Sequence, residues 1–148
     1  MKKPGMLLAA LLLVVLLAGC GREEPEYKPY QSPADTPKTA VSTSWGTLYY
    51  GSRWDECMVT EQEMEEQCLR VDFSARLGDA TYPLFQVTIG KGRGALAGQL
   101  TGPDGTSRDV YIQSQTISQY PELSEAEQSQ LYAMQEEINI VIENLEQK

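Results

Sequence analysis

Between positions 55 and 68 the chain sets Asp55, Glu56, Glu61, Glu63, Glu65 and Glu66 among two cysteines, Cys57 and Cys68. Paired carboxylates are the working groups of glycoside hydrolysis, which needs one of the two kept protonated by dry surroundings. A run of neighbouring glutamates is instead the pattern of a solvated face, and the D-x-[DN]-x-[DN]-G-x5-E loop of calcium sites is absent. The chain has no histidine. That removes the usual general base near neutral pH, the commonest zinc ligand and every Ser-His or Cys-His nucleophile. Two cysteines without histidine and without C-x-x-C spacing make a poor metal site and a poor redox site. The glycine-dense stretch GKGRGALAG, 90 to 98, lacks the G-x-x-x-x-G-K-[ST] pattern of a phosphate cradle, so it reads as a loop or strand-edge bulge. The expectation is a protein without catalytic residues, cofactor or metal.

Binding chemistry is better supplied. Twelve Lys and Arg face 21 Asp and Glu, a formal net charge of −9. A surface this acidic repels nucleic-acid phosphates and steers a basic protein or peptide toward it. Trp45, Tyr49 and Trp54 are the residue types that dominate binding hot spots, although aromatics in such a position also serve as core. The candidate patch is therefore Trp45, Tyr49 and Trp54 for contact area, with Glu61, Glu63 and Glu65 for steering.

The elements that must position these residues follow from periodicity. WGTLYY, 45 to 50, is rich in strand-forming types and reads as a first strand closed by Gly51. Leu69, Val71, Phe73, Ala75 and Leu77 alternate with Arg70, Asp72, Ser74 and Arg76, the pattern of a half-buried strand. Gly78-Asp79 turns it into Phe85, Val87 and Ile89, with Pro83 near a strand start or a bulge. Leu96 and Leu100 lead through Gly102-Pro103-Asp104-Gly105 to Val110-Tyr111-Ile112, a second hairpin.

The segment RWDECMVTEQEMEEQ reads either as helix or as a short strand. Cys57 and Cys68 lie eleven residues apart, about 16 Å on one continuous helix, beyond disulfide reach. A Cys57–Cys68 disulfide would thus require a hairpin in which Met58-Val59-Thr60 pairs with the next strand and EQEMEEQ forms the connection; two buried or free thiols are the alternative. At the end of the chain, Ser124 with Glu127 forms a capping box. Leu131, Met134, Ile138, Val141 or Ile142, and Leu145 recur at helical steps for about twenty residues. Strands followed by one terminal helix predict an α+β fold, an antiparallel sheet built from hairpins with one C-terminal amphipathic helix packed on it.

The N-terminus has a different character. Lys2 and Lys3 precede LLAALLLVVLLAG, an uncharged run shorter than the roughly 20 residues a spanning helix needs, and Leu17-Ala18-Gly19-Cys20 ends it. This segment resembles the lipobox leader of bacterial lipoproteins. The resemblance covers residues 1 to 20 and implies that the leader is cut before Cys20, that diacylglycerol is joined to the Cys20 thiol, and that the new amino terminus is acylated. Two or three acyl chains hold a protein on a membrane where one does so only marginally. Residues 1–19 then form a signal peptide, 20–40 the lipidated cysteine with a tether carrying Pro25, Pro29, Pro33 and Pro37, and 41–148 a single extracytoplasmic domain. The whole predicts a lipid-anchored, non-catalytic binding module outside the cytoplasm for a protein, peptide or envelope component. The alternative is an accessory subunit of an envelope complex that docks through its C-terminal helix.

Overall fold

The computed structural model describes residues 37–146. The leader, Cys20 and most of the proline-rich stretch lie outside that range. Seven strands form two antiparallel sheets: β1 (Lys38–Thr43) with β2 (Gly46–Gly51), and a five-stranded sheet of β3 (Met58–Met64), β4 (Cys68–Leu77), β5 (Ala80–Gly90), β6 (Ala95–Thr101) and β7 (Ser107–Ser114). Spatial order in the second sheet is β3-β4-β5-β7-β6. A 3-10 turn, Ser52–Trp54, joins the sheets, and a helical arm of α1 (Glu125–Gln135) and α2 (Ile138–Glu143) ends the fold. The class is α+β.

Alternation decides which face of the larger sheet is covered. Leu69, Val71, Phe73, Ala75 and Leu77 point inward from β4, across from Phe85, Val87 and Ile89 of β5, and Val110 and Ile112 continue the layer on β7. Leu48 and Tyr50 of β2 close over them, together with Leu131, Met134, Val141 and Leu145 of the arm. Phe73 stacks on Phe85 at 4.6 Å between centroids, and Tyr50 meets Phe73 edge-on at 6.4 Å, so three rings tie the two sheets together.

Pro83 sits where the β4–β5 register shifts, between Phe73 and Ser74. Proline has no N–H for the ladder, and a bulge is one of the few places in a sheet that tolerates it. The bulge leaves the Leu84 carbonyl free to accept from Gln115 N and from Gln135 Nε2 of α1. Ser124 caps the arm as its spacing predicts, its hydroxyl accepting from Glu127 N at 3.1 Å.

Three expectations need correction. A strand earlier than WGTLYY exists: β1 begins at Lys38, inside the stretch assigned to the tether, because Lys38 to Ala40 pair with Gly51 to Tyr49. The helical arm is broken at Glu136–Glu137, where N–H groups reach back only three residues, Glu137 N to Met134 O and Ile140 N to Glu137 O, a local 3-10 tightening. The acidic segment is itself strand, not connection, since β3 runs through Met64 and only Glu66 and Gln67 span the hairpin turn between Glu65 and Cys68.

Candidate functional site

The extended β3 places the two cysteines at opposite ends of one hairpin. Cys57 O accepts from Arg76 N, whereas Cys68 O accepts from Glu65 N. Eight residues of β4 separate those rungs, about 26 Å at strand rise, against the 7 Å or less that a disulfide spans. Cys68 is a free thiol, and the Cys57–Cys68 bond does not form. Cys68 is 8% exposed; burial first, then its bond to Glu65 Oε2 and that carboxylate's charge, push the thiol up from its ordinary value. Iodoacetamide at neutral pH is therefore expected to label Cys68 far more slowly in the folded chain than in urea. Tryptic mapping should yield no peptide linking 57 to 68. Equal labelling rates, or such a linked peptide, would refute this placement.

The candidate patch is divided among β3, the β1–β2 turn, β2 and the 3-10 turn after it. Glu61 and Glu63 lie on β3, an edge of the five-stranded sheet whose Gln62 Nε2 donates to Ser42 O of β1 at 2.9 Å, while Tyr49 of β2 turns toward Leu100 of β6 and the Trp45 ring lies against Gly90 at the end of β5. Tyr49 lines an open groove of about 370 Å³ with Thr47, Leu100, Pro103, Asn144 and Glu146. Trp45 belongs to the β1–β2 turn and lies under the Arg108 guanidinium, 4.4 Å from its ring centroid. Trp54 follows the other end of β2 and is spent internally, its Nε1 donating to Glu137 at 2.9 Å.

Arg108 also pairs with Asp104 at 3.0 Å in the β6–β7 turn. Its hydrogen bond, with the Thr106 N–H, holds the Asp104 carboxyl at about 2, below its ordinary 3.8. A depressed folded-state value means that the contribution is complete above the unfolded value and fades as pH falls from about 4 to about 2. An Asp104 midpoint near 2 in a carboxyl-carbon titration, returning toward 3.8 in Arg108→Ala, is the expected result.

The buried residue that sequence spacing missed is Glu137, 2% exposed. Its Oε2 accepts from Gly51 N at 2.9 Å, and its Oε1 accepts from Trp54 Nε1 and from Arg53 Nε and Nη2 at 3.1–3.2 Å. A carboxylate taken out of water survives only with such a shell of donors. Here the shell pins the arm's break to the end of β2. The signal was present, because Met134, Glu137 and Val141 stand at i, i+3 and i+7, inside the apolar stripe.

On the outer face of the β3–β4 hairpin, Arg70 gathers three carboxylates: Glu63, Glu65 at 2.8 Å and Asp72 at 3.2 Å. One guanidinium among three anions leaves the cluster negative. Glu61 stands directly opposite Asp72 in the register, and among the described residues it has no ion-pair partner. Like charges facing each other across strands are destabilising. No group of three or more Asp, Glu, Cys or His side chains among the described residues is arranged to hold a metal ion, and no helix among them is long and apolar enough to cross a membrane. No protein-family model, curated protein or solved structure matches the chain.

Proposed function

We propose that this chain is a lipid-anchored, non-catalytic binding module held outside the cytoplasmic membrane, and that its partner is a basic protein or peptide. Its address is inferred from Lys2, Lys3, the uncharged run and Leu-Ala-Gly-Cys20, all outside the described residues. The binding half is carried by one observation, the net negative charge of the β3–β4 hairpin, where Arg70 is shared among Glu63, Glu65 and Asp72 and Glu61, opposite Asp72, has no ion-pair partner among the described residues. Leaving such a charge in place costs stability, and an incoming Lys or Arg would relieve it. Trp45 and Trp54 are engaged within the fold, so of the three aromatics only Tyr49 faces an open groove. Docking of an accessory subunit through the C-terminal helix lacks comparable support, because Leu131, Met134, Val141 and Leu145 are buried in the domain's own core.

Crosslinking the full chain to its neighbours in the native envelope, followed by recovery at low and high salt, tests the reading. Charge-steered association weakens as added ions shorten the screening length. Captured partner should decrease several-fold at high salt and in Glu61→Gln. Retention indifferent to both would contradict it.

A further inference from the structure

We propose that the free edge of β3 receives an extended basic segment of the partner as a sixth strand of the sheet, an inference that deepens the binding reading above and rests on it. Antiparallel pairing turns alternate residues' backbone groups toward and away from the neighbour. The rungs at Cys57–Arg76 and Glu65–Cys68 fix the phase: Val59, Glu61 and Glu63 bond to β4, and Thr60, Gln62 and Met64 present N–H and C=O outward. Those outward groups have no partner strand among the described residues. Residues 61 to 64 are exposed, Met64 by 53%, and no proline or bulge interrupts the edge. The opposite edge is different in kind, because Gln99 of β6 exchanges both backbone bonds with Glu146.

Charge selects the occupant. A second copy added antiparallel would bring Glu61 and Glu63 against the same carboxylates, which is how exposed edges avoid self-association. A segment with Lys or Arg at alternate positions meets them instead, its side chains about 5 Å away between Cβ atoms on the outer face. The residues between the cations fall on the side of Thr60, Gln62 and Met64, where one apolar side chain can cover the exposed methionine. This is strand addition: main-chain bonds supply affinity and alternate side chains supply selectivity.

The probe is a capped nonapeptide of alternating lysine and valine, titrated into the full chain in neutral detergent. A second version is N-methylated at the amides that would face β3. The plain peptide should bind and slow hydrogen exchange at the Thr60, Gln62 and Met64 amides. N-methylation should weaken binding about tenfold or more, and Gln62→Pro should do so beyond Gln62→Ala, which removes the same side-chain bond to Ser42 O but keeps the outward N–H. Glu61→Lys should weaken it too without lowering the melting temperature, since it removes the opposition to Asp72. Equal, salt-sensitive binding of both peptides with no slowed exchange overturns strand addition and leaves charge-steered binding standing. Concentration-dependent protection of the same amides in the free protein gives the edge to a second copy and overturns the choice of occupant. Binding of neither peptide overturns the proposal outright, and the envelope crosslinking then judges the broader reading independently.

Discussion

Glu137→Ala should lower the stability of the folded chain by about 3 kcal/mol, the cost of breaking a buried charged pair from one side. The loss comes from what stays behind. Gly51 N would be left inside without an acceptor, at about 1–3 kcal/mol for a buried unsatisfied group, and the half-buried Trp54 Nε1 would lose its partner. Arg53 contributes less, because its side chain is 36% exposed and can turn to water. Arg53→Ala is accordingly expected to cost about 1 kcal/mol or less, as partly exposed pairs do. Gly51→Ala attacks the same anchor from the other side, since an added Cβ would lie 2.6 Å from Glu137 Oε2. At about 4 °C per kcal/mol for a domain this size, the Glu137→Ala melting temperature should fall by about 12 °C. Thermal unfolding followed by circular dichroism measures it. A fall of under about 3 °C, under 1 kcal/mol on the same scale, would mean that the anchor contributes nothing beyond what water replaces.

Phe73→Ala should cost about 3–5 kcal/mol, the range for deleting a fully buried aromatic ring. Phe73 is fully buried and touches the ring of the next strand and the ring of the opposite sheet, so its removal leaves a void bounded on both sides. Rigid strands limit how far that void can collapse. Phe73→Leu retains part of the volume and should cost less than half as much. Urea unfolding of the single variants and of the Phe73→Ala, Phe85→Ala pair separates ring coupling from simple burial, because contacting residues deviate from additivity by about 0.5–3 kcal/mol. Strict additivity would show that the stacked geometry adds nothing to apolar burial.

How much of this was legible in the sequence depends on where apolar alternation survives. From Leu69 to Leu77 every second residue is apolar, and β4 is read without difficulty; the β6–β7 turn announces itself through Gly102-Pro103-Asp104-Gly105. Half of β3 is hidden because an edge strand with one solvated face and few inward contacts carries no hydrophobic period, so Glu61 to Gln67 reads as connection. β1 was hidden for a similar reason, since Lys38-Thr39-Ala40 continues the composition of the proline-rich stretch before it.

The site was less legible than the fold. Carboxylates and aromatics that are neighbours in sequence read as one patch, yet Trp54 is bound to Glu137, Tyr49 lines a groove with Leu100 of β6, and Glu61 stands on β3. Spacing along a chain cannot show that Glu61 faces Asp72, because register is a tertiary property set by where the hairpin turns. An even pair of cysteines outside the cytoplasm suggests a disulfide whatever the register, and spacing alone does not show on which rungs the two fall. With Glu65 and Cys68 as the closing rung, Cys57 and Cys68 fall at opposite ends of the hairpin.

The lipid anchor proposed at Cys20 can be tested directly. Intact-mass spectrometry of the full chain, extracted from its native membrane in detergent, should return a protein that starts at Cys20 and carries diacylglycerol in thioether linkage to that sulfur. A chain that still begins at Met1, or one whose position 20 bears an unmodified thiol, would contradict the membrane address and the exposed binding role assigned to it.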